Sequence, residues 1–138
     1  MADIPMDVAL GEGIRRLPVY LLLDCSGSMA GAPIEAVRRG VELFLQEVQS
    51  DPFARETVHL GVITFDSDAR MITPGLVPID QFQPPQLSAS GSTSLGKALR
   101  VLRESLDRDV RPAVRGKEKG DWKPLVFILT DGEPTDDW

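Results

Sequence analysis

The 138-residue chain, with 42% hydrophobic residues, is long enough to form one domain with a hydrophobic core but too short for two. Its formal net charge of −6 disfavours non-specific binding to nucleic acid or to an anionic membrane. The single cysteine, Cys25, cannot form an internal disulfide, and no apolar run approaches the roughly 20 residues of a membrane-spanning helix. With no signal-peptide pattern, these features predict a protein of the cytoplasm without nucleic acid or membrane partners.

The first predicted strand leads directly into a group of oxygen-bearing side chains. Residues 1–16 show no helical or strand period and are interpreted as a lead-in. The nearly continuous apolar run over residues 17–24 is typical of a strand buried on both faces of a parallel sheet. Asp24 falls at its carboxyl end, where open α/β sheets bind ligands. Ser26 and Ser28 follow at alternate positions, which can converge on one point in a tight turn, although serines are good turn residues in any protein.

The middle of the chain predicts a helix, a strand and a short edge strand. Apolar residues recur every three or four positions after Pro33, which predicts an amphipathic helix over residues 33–49. A second strand is predicted over residues 57–65 and a third over residues 69–73. Because so few residues separate these two strands, the third should be antiparallel and at the sheet edge. The Pro-rich loop of residues 74–92 is long, and long loops in compact domains are often functional.

The last predicted elements bring a second acid to the same edge of the sheet. Residues 94–108 have a helical apolar face, and residues 124–130 repeat the pattern of a buried strand ending in an acid, here Asp131. The order β-α-β-β-α-β with right-handed crossovers places the strand before Asp24 beside the strand before Asp131, with the helices on opposite faces. We therefore predict a doubly wound, mostly parallel α/β sheet with one antiparallel edge strand, and a ligand site at its topological switch point.

The connection before the last strand carries several cations. Arg111, Arg115, Lys117 and Lys119 could be interpreted as a nucleic-acid patch. Since no aromatic residues are interleaved and the protein is acidic, we interpret them as a solvated loop.

Three segments together resemble a known metal site. Asp24, Ser26 and Ser28 match the Asp-x-Ser-x-Ser motif of the metal-ion-dependent adhesion site in the von Willebrand factor type A (vWA) domain family, Thr93 matches its loop threonine, and Asp131 matches its late aspartate. The resemblance covers residues 17–138. It implies a vWA domain that binds Mg²⁺ or Mn²⁺, in preference to Ca²⁺, through these residues, and that binds an Asp or Glu carboxylate of a partner protein through the metal.

The loop over residues 92–96 and residues 131–136 are similar to the bacterial tellurium-resistance TerY-like branch of this family. This resemblance implies a bacterial cytoplasmic protein of a tellurium-resistance or stress-response system, acting by interaction and not as an enzyme.

Two alternatives remain open from the residues alone. The first is a metal-dependent hydrolase or phosphoryl-transfer enzyme that uses Asp24, although the chain has no Walker-type glycine-rich loop. A Ser-His-Asp triad would need His59, which lies near the start of its strand while the motif serines follow the end of theirs, so we interpret His59 as structural. Cys25 is interpreted as a buried filler and not a catalytic thiol. The second alternative is a scaffold that binds no metal.

The end of the chain departs from the family pattern. Type A domains continue with further helices and strands after the late aspartate, whereas this chain ends at Trp138. We therefore expect a shortened or cleaved form in which the strand at residues 124–130 is an open sheet edge. Such an edge favours self-association, or pairing with a fragment that carries the missing C-terminal strands.

Overall fold

The computed structural model describes residues 15–112 and 120–130. The elements, in chain order, are β1 (Leu17–Asp24), α1 (Ala32–Gln49), α2 (Pro52–Thr57), β2 (Val58–Phe65), β3 (Ala69–Met71), β4 (Val77–Pro78), α3 (Leu95–Asp109) and β5 (Leu125–Leu129). Short 3₁₀ helices lie at Gly27–Met29 and Ile79–Gln81. No helix in the described ranges is long and apolar enough to cross a membrane.

The sheet has the strand order β3-β2-β1-β5, with β4 paired to β2. β1 is parallel to β2 and to β5, and its register places Asp24 opposite Phe65 and Leu23 opposite Leu129. The carboxyl ends of these parallel strands therefore meet at one edge of the sheet. This arrangement confirms the predicted doubly wound α/β fold and the predicted neighbours of the first strand.

Side chains of β1 alternate between two hydrophobic clusters. Leu21 and Leu23 belong to the cluster that contains the buried face of α1, and Tyr20 and Leu22 belong to the cluster that contains the buried face of α3. Successive strand residues point to opposite faces of a sheet, so both faces of β1 are covered and seven of its eight residues are buried. This is why β1 is apolar from Leu17 to Leu23 and does not alternate.

The helices begin and end close to the predicted positions, with one addition. Pro33 occupies the first turn of α1, as expected from its fixed backbone angle and missing N–H. The helix α2 was not predicted because six residues are too few to show an apolar period. The sequence feature that marks the start of this helix is its N-cap residue, Asp51. Its carboxylate accepts hydrogen bonds from the backbone N–H groups of Phe53 and Ala54.

The antiparallel edge contains two short strands instead of the single strand predicted over residues 69–73. β3 ends at Met71 and pairs with the end of β2, while β4 pairs with residues near its start. Between them, the Thr73 hydroxyl accepts a hydrogen bond from the Val62 N–H at 3.1 Å in place of a backbone carbonyl. Gly75 then turns the chain at a φ of +81°, which favours glycine.

The strand β5 pairs only with β1 in the part of the chain that the structure describes. Four of its five side chains are exposed, between 39% for Val126 and 46% for Leu125, while Leu129 is half-buried. On the α1 side, the ring of Phe127 lies 6.4 Å from that of Phe44, between centroids. The expectation that this strand is an open, apolar sheet edge is thus confirmed for the described residues.

The end of the sheet opposite the predicted site is fixed by an ion pair. The Arg16 guanidinium donates to both carboxylate oxygens of Asp121, at 3.0 and 2.6 Å, and also to the backbone carbonyl of Asp109 at 2.8 Å. Although burial acts in the opposite direction, Arg16 and the backbone N–H of Arg111 lower the pKa of Asp121. This pair ties the start of β1 to the end of α3 and to the segment that enters β5. The predicted lead-in and most of the basic connection (residues 1–14 and 113–119) lie outside the described residues.

Candidate metal centre

Backbone hydrogen bonds hold three loops together beyond the carboxyl ends of β1 and β2. The Ser90 N–H donates to the Cys25 carbonyl at 2.9 Å, and the Gly27 N–H donates to the Gly91 carbonyl at 2.8 Å. On the other side, the Ser94 N–H donates to the Asp66 carbonyl at 2.8 Å. The segment that contains Thr93 is therefore fixed at both ends, first to the loop after β1 and then to the loop after β2.

Asp24 lies at the centre of this region and is fully buried, with an exposure of 0%. Its Oδ1 accepts a hydrogen bond from the Ser26 backbone N–H at 2.9 Å, which is the turn that redirects the chain after β1. Its Oδ2 accepts a hydrogen bond from the Thr130 hydroxyl. Each oxygen retains a further lone pair, because a carboxylate offers about four acceptor positions.

No cation lies beside Asp24 within the described ranges. The ion pairs of these ranges involve Arg16, Arg38, Lys97 and Arg108, and none of them reaches this carboxylate. Buried charges in proteins are normally paired or bound to a metal, because removing an ion from water is costly. The chemistry of the site therefore fits a bound cation.

The serines of the motif provide neutral oxygens next to this carboxylate. Ser26 is buried, Ser28 is exposed, and their hydroxyl oxygens lie 3.2 Å apart. A short 3₁₀ helix over Gly27–Met29 bends the chain so that the two alternate side chains converge, as the sequence predicted. One hydroxyl is thus open to a partner while the other belongs to the interior.

Thr93 is buried at 6% exposure in the loop that covers this turn. The N-cap of α3 is Ser94, so Thr93 does not cap that helix. The preceding turn depends on Gly91, whose φ is +81° and where a β-carbon would lie 2.4 Å from Ser67 Oγ. Ser67 supports the same loop by accepting a hydrogen bond from the Ser92 N–H at 3.0 Å.

Asp131 lies outside the described residues, but its neighbour Thr130 reaches the site. Sequence reasoning did not identify Thr130. The signal that could have found it is its position: in the parallel register of β1 and β5, the residue after Leu129 lies beside Asp24. This register supports the predicted approach of the last strand to the motif, while the position of the Asp131 side chain stays a prediction.

Within the described ranges, no group of three or more Asp, Glu, His and Cys side chains is placed to hold a metal. The predicted ligands include one carboxylate and three hydroxyls in those ranges, so they would not form such a group. Hydroxyl and carboxylate oxygens are suitable ligands for Mg²⁺, which usually retains several waters and needs few protein ligands.

Cys25 and His59 do not have the properties of catalytic groups. Burial, together with the Asp66 and Asp24 carboxylates, raises the pKa of the Cys25 thiol to about 11, which keeps it protonated at neutral pH. His59 pairs with Pro18 near the start of β1, at the far end of the sheet from Asp24. Its Nδ1 lies 3.2 Å from the Thr57 carbonyl. Cys25 is thus buried and His59 lies away from the motif serines, as the sequence predicted.

Relatives of the chain were found among curated proteins. The chain is 31% identical over 127 residues to an uncharacterized protein of Synechocystis sp., a match that covers 86% of this chain and 26% of that protein. It is 24% identical over 140 residues to a von Willebrand factor A domain-containing protein of Dictyostelium discoideum, covering 91% of this chain and 14% of that protein. The chain thus spans about a quarter or less of the length of these relatives.

Solved structures share its fold. The PilB minor pilin from Streptococcus sanguinis is 18% identical with a TM-score of 0.66, over 87% of this chain and 30% of the pilin chain. The ArnB paralog VWA2 from Sulfolobus acidocaldarius is also 18% identical, with a TM-score of 0.60 over 90% of this chain and 29% of its own. The family model of the von Willebrand factor type A domain matches residues 19–133. The chain therefore belongs to the von Willebrand factor type A domain family.

Proposed function

We propose that the protein is a metal-dependent interaction module whose bound Mg²⁺ or Mn²⁺ recruits a carboxylate from a partner protein. Domains of this family commonly mediate protein–protein interaction, which gives the proposal its general class. The ion would be held by Asp24, Ser26, Ser28, Thr93 and Asp131. When bound, it supplies positive charge and a coordination position for an external oxygen.

The observation that carries this proposal is the buried Asp24 carboxylate without a neighbouring cation in the described ranges. The two hydrogen bonds that it accepts come from neutral groups, the Ser26 N–H and the Thr130 hydroxyl. These orient the carboxylate but do not neutralise its charge. A divalent ion would provide that compensation.

The neutral hydroxyls explain why the partner group should be a carboxylate. Ser26, Ser28 and Thr93 add ligand oxygens without adding negative charge, so the site leaves excess positive charge on the ion. Ser28 is exposed, which opens one side of the site to a second protein. An Asp or Glu side chain of the partner would complete the charge balance and the coordination.

Binding is favoured over catalysis by the groups that surround Asp24. The protonated Cys25 thiol and the distant His59 offer no general base next to the carboxylate. The alternative, a hydrolase or phosphoryl-transfer enzyme that uses Asp24, therefore cannot draw its general base from Cys25 or His59.

The cellular setting of the proposal is a bacterial cytoplasm, in a tellurium-resistance or stress-response system. Its support is the similarity of residues 92–96 and 131–136 to the TerY-like branch. Tellurite sensitivity of a strain whose gene carries Asp24→Asn tests this part. Unchanged growth on tellurite would remove the resistance role without affecting the metal site.

Isothermal titration calorimetry with Mn²⁺ and Mg²⁺ tests the metal site directly. We expect saturable binding by the wild type and its loss in Asp24→Asn, which retains an acceptor oxygen for the Ser26 N–H. Glu47→Gln removes an equal charge from an exposed position on α1 and should bind as the wild type does. Equal binding by Asp24→Asn and Glu47→Gln would overturn the proposed site.

A further inference from the structure

A cleft of about 640 Å³ lies on the α1 side of the sheet at the β2–β3 edge. Its floor contains Thr64 and Arg70, which face each other in the antiparallel register of these strands. Its roof is the loop that contains Phe82 and Leu87, and the Leu87 carbonyl accepts a hydrogen bond from the Arg38 guanidinium of α1 at 3.0 Å. We call this space the edge cleft and propose that it binds a zwitterionic ligand of the amino-acid or short-peptide class.

The first observation is a buried hydroxyl group that faces the edge cleft. Thr64 is exposed at only 7%, and its hydroxyl makes no hydrogen bond to any group within the described ranges. A buried hydroxyl without a partner is destabilising, so such groups normally bind another protein atom, water or a ligand. Since Thr64 lines the cleft, the partner that it lacks in the protein can come from the cleft's occupant.

The second observation is a pair of opposite charges that do not neutralise each other. Asp66 and Arg70 both line the edge cleft, yet no ion pair joins them in the described part of the chain. One oxygen of Asp66 accepts a hydrogen bond from the Asp68 N–H at 3.0 Å, and Arg70 is exposed to the cleft and to solvent. A ligand that carries an ammonium group and a carboxylate can bridge these two charges, whereas a singly charged ligand satisfies only one.

The remaining lining fits the body of such a ligand. The side chains of Gln81, Gln83 and Gln86 offer amide donors and acceptors, as peptide groups require. Ile72 and Phe82 add apolar surface. Binding pockets commonly have volumes of roughly 300–1,000 Å³, with apolar walls and a few polar groups that fix the orientation of the ligand. The edge cleft therefore has room for an amino acid or a peptide of a few residues.

The edge cleft is separate from the candidate metal centre. Ser26, Ser28 and Thr93 do not line it, although Cys25, the residue after Asp24, does. The proposal does not depend on the metal, and it can be tested with the metal removed.

Isothermal titration calorimetry in EDTA provides the test, with alanine and trialanine as probes. Each probe is compared with its N-acetylated form, which lacks the ammonium group, and with its C-terminal amide, which lacks the carboxylate. We expect a zwitterionic probe to bind about tenfold more tightly than either blocked form, since a lost charge-assisted hydrogen bond has an effect of this order. Tighter binding of alanine identifies a free amino acid as the ligand type, and tighter binding of trialanine identifies a peptide.

Three variants locate the binding. Arg70→Gln should abolish the preference for the free carboxylate, and Asp66→Asn, which can still accept from the Asp68 N–H, should abolish the preference for the ammonium group. Thr64→Val keeps the shape of the side chain but removes its hydroxyl, and should weaken the binding of every probe. Arg100→Gln, on the exposed side of α3, is the matched control. Equal affinity for free and blocked probes, or no binding of any probe, would overturn the proposal.

Discussion

The hydroxyl of Thr130 donates a hydrogen bond to Oδ2 of Asp24 and so joins the end of β5 to the end of β1. The two residues are 106 positions apart in the chain. The other oxygen, Oδ1, accepts a hydrogen bond from the Ser26 N–H. The two hydrogen bonds together fix the orientation of the carboxylate.

Thr130→Val should lower the free energy of unfolding by about 1.5–3 kcal/mol, the range for a hydrogen bond to a charged group. Urea unfolding in EDTA measures it. Thr130→Ser retains the hydroxyl and should lower the free energy of unfolding much less. A loss in Thr130→Val no larger than that in Thr130→Ser would contradict the prediction, because only Thr130→Val removes the hydroxyl that donates to Asp24.

Thr93→Val should abolish metal-supported binding while the fold stays intact. The change removes only the hydroxyl, and the N-cap of α3 is the neighbouring Ser94. Mn²⁺ titration measures the loss, and urea unfolding in EDTA shows whether the fold is retained. Wild-type affinity for Mn²⁺ would exclude Thr93 from the ligand set, and a loss of about 1 kcal/mol in EDTA would show that the hydroxyl stabilises the fold instead.

Mg²⁺ should stabilise the native state. An ion that binds only the folded protein contributes about 2.7 kcal/mol at 100 times its dissociation constant. Melting curves in EDTA and in millimolar Mg²⁺ measure this. Asp121→Asn is the control, because it weakens the ion pair with Arg16 at the other end of the sheet. This variant should have lower melting temperatures in both EDTA and Mg²⁺, with the same difference between them as in the wild type. Superimposable wild-type curves would contradict the prediction.

The stability of the protein should fall as the pH drops below 6.5. Burial lowers the pKa of His59 from its ordinary value of 6.5. Above that pH both folded and unfolded states are neutral at this residue, while below it the unfolded state gains a proton that the folded state resists. Urea midpoints at pH 7.5 and 5.5 should therefore differ. His59→Gln should reduce the difference, and an unchanged pH dependence in this variant would assign the effect to other groups.

A polypeptide of this sequence should self-associate through β5. Val126 and Ile128 are exposed at 39% and 43%, and the outer edge of this strand is unpaired in the described residues. Burial of apolar surface contributes about 25 cal/mol per Å², and unpaired edges promote strand pairing between chains. Light scattering at micromolar concentration should give a mass above the 15.1 kDa of one chain.

The variant Val126→Lys should shift this association toward the monomer, because a charge on an edge strand opposes pairing. Lys123→Ala, just before the strand, serves as the comparison. A monodisperse wild-type monomer without another polypeptide would show that the edge is protected.

The sequence predicted the parallel strands and the two long helices because each carries a long apolar pattern. It also placed Asp24 at the carboxyl end of β1, where the topology brings three loops together. It could not identify α2 or β4, which are too short for a period. Nor could it identify Thr130, because a contact over 106 positions depends on strand register. The edge cleft likewise arises from the path of an irregular loop over β2 and β3.

The fixation of the loop at Ser90, Gly91 and Ser94 divides the long connection after β4 into two parts with different tolerance to insertion. Residues inserted near Pro84, which is exposed, would lengthen the roof of the edge cleft and leave Thr93 in position. An insertion between Ser90 and Ser94 would separate Thr93 from the turn at Asp24. Changes in loop length around Pro84 should therefore alter the edge cleft while leaving the positions of Asp24 and Thr93 unchanged.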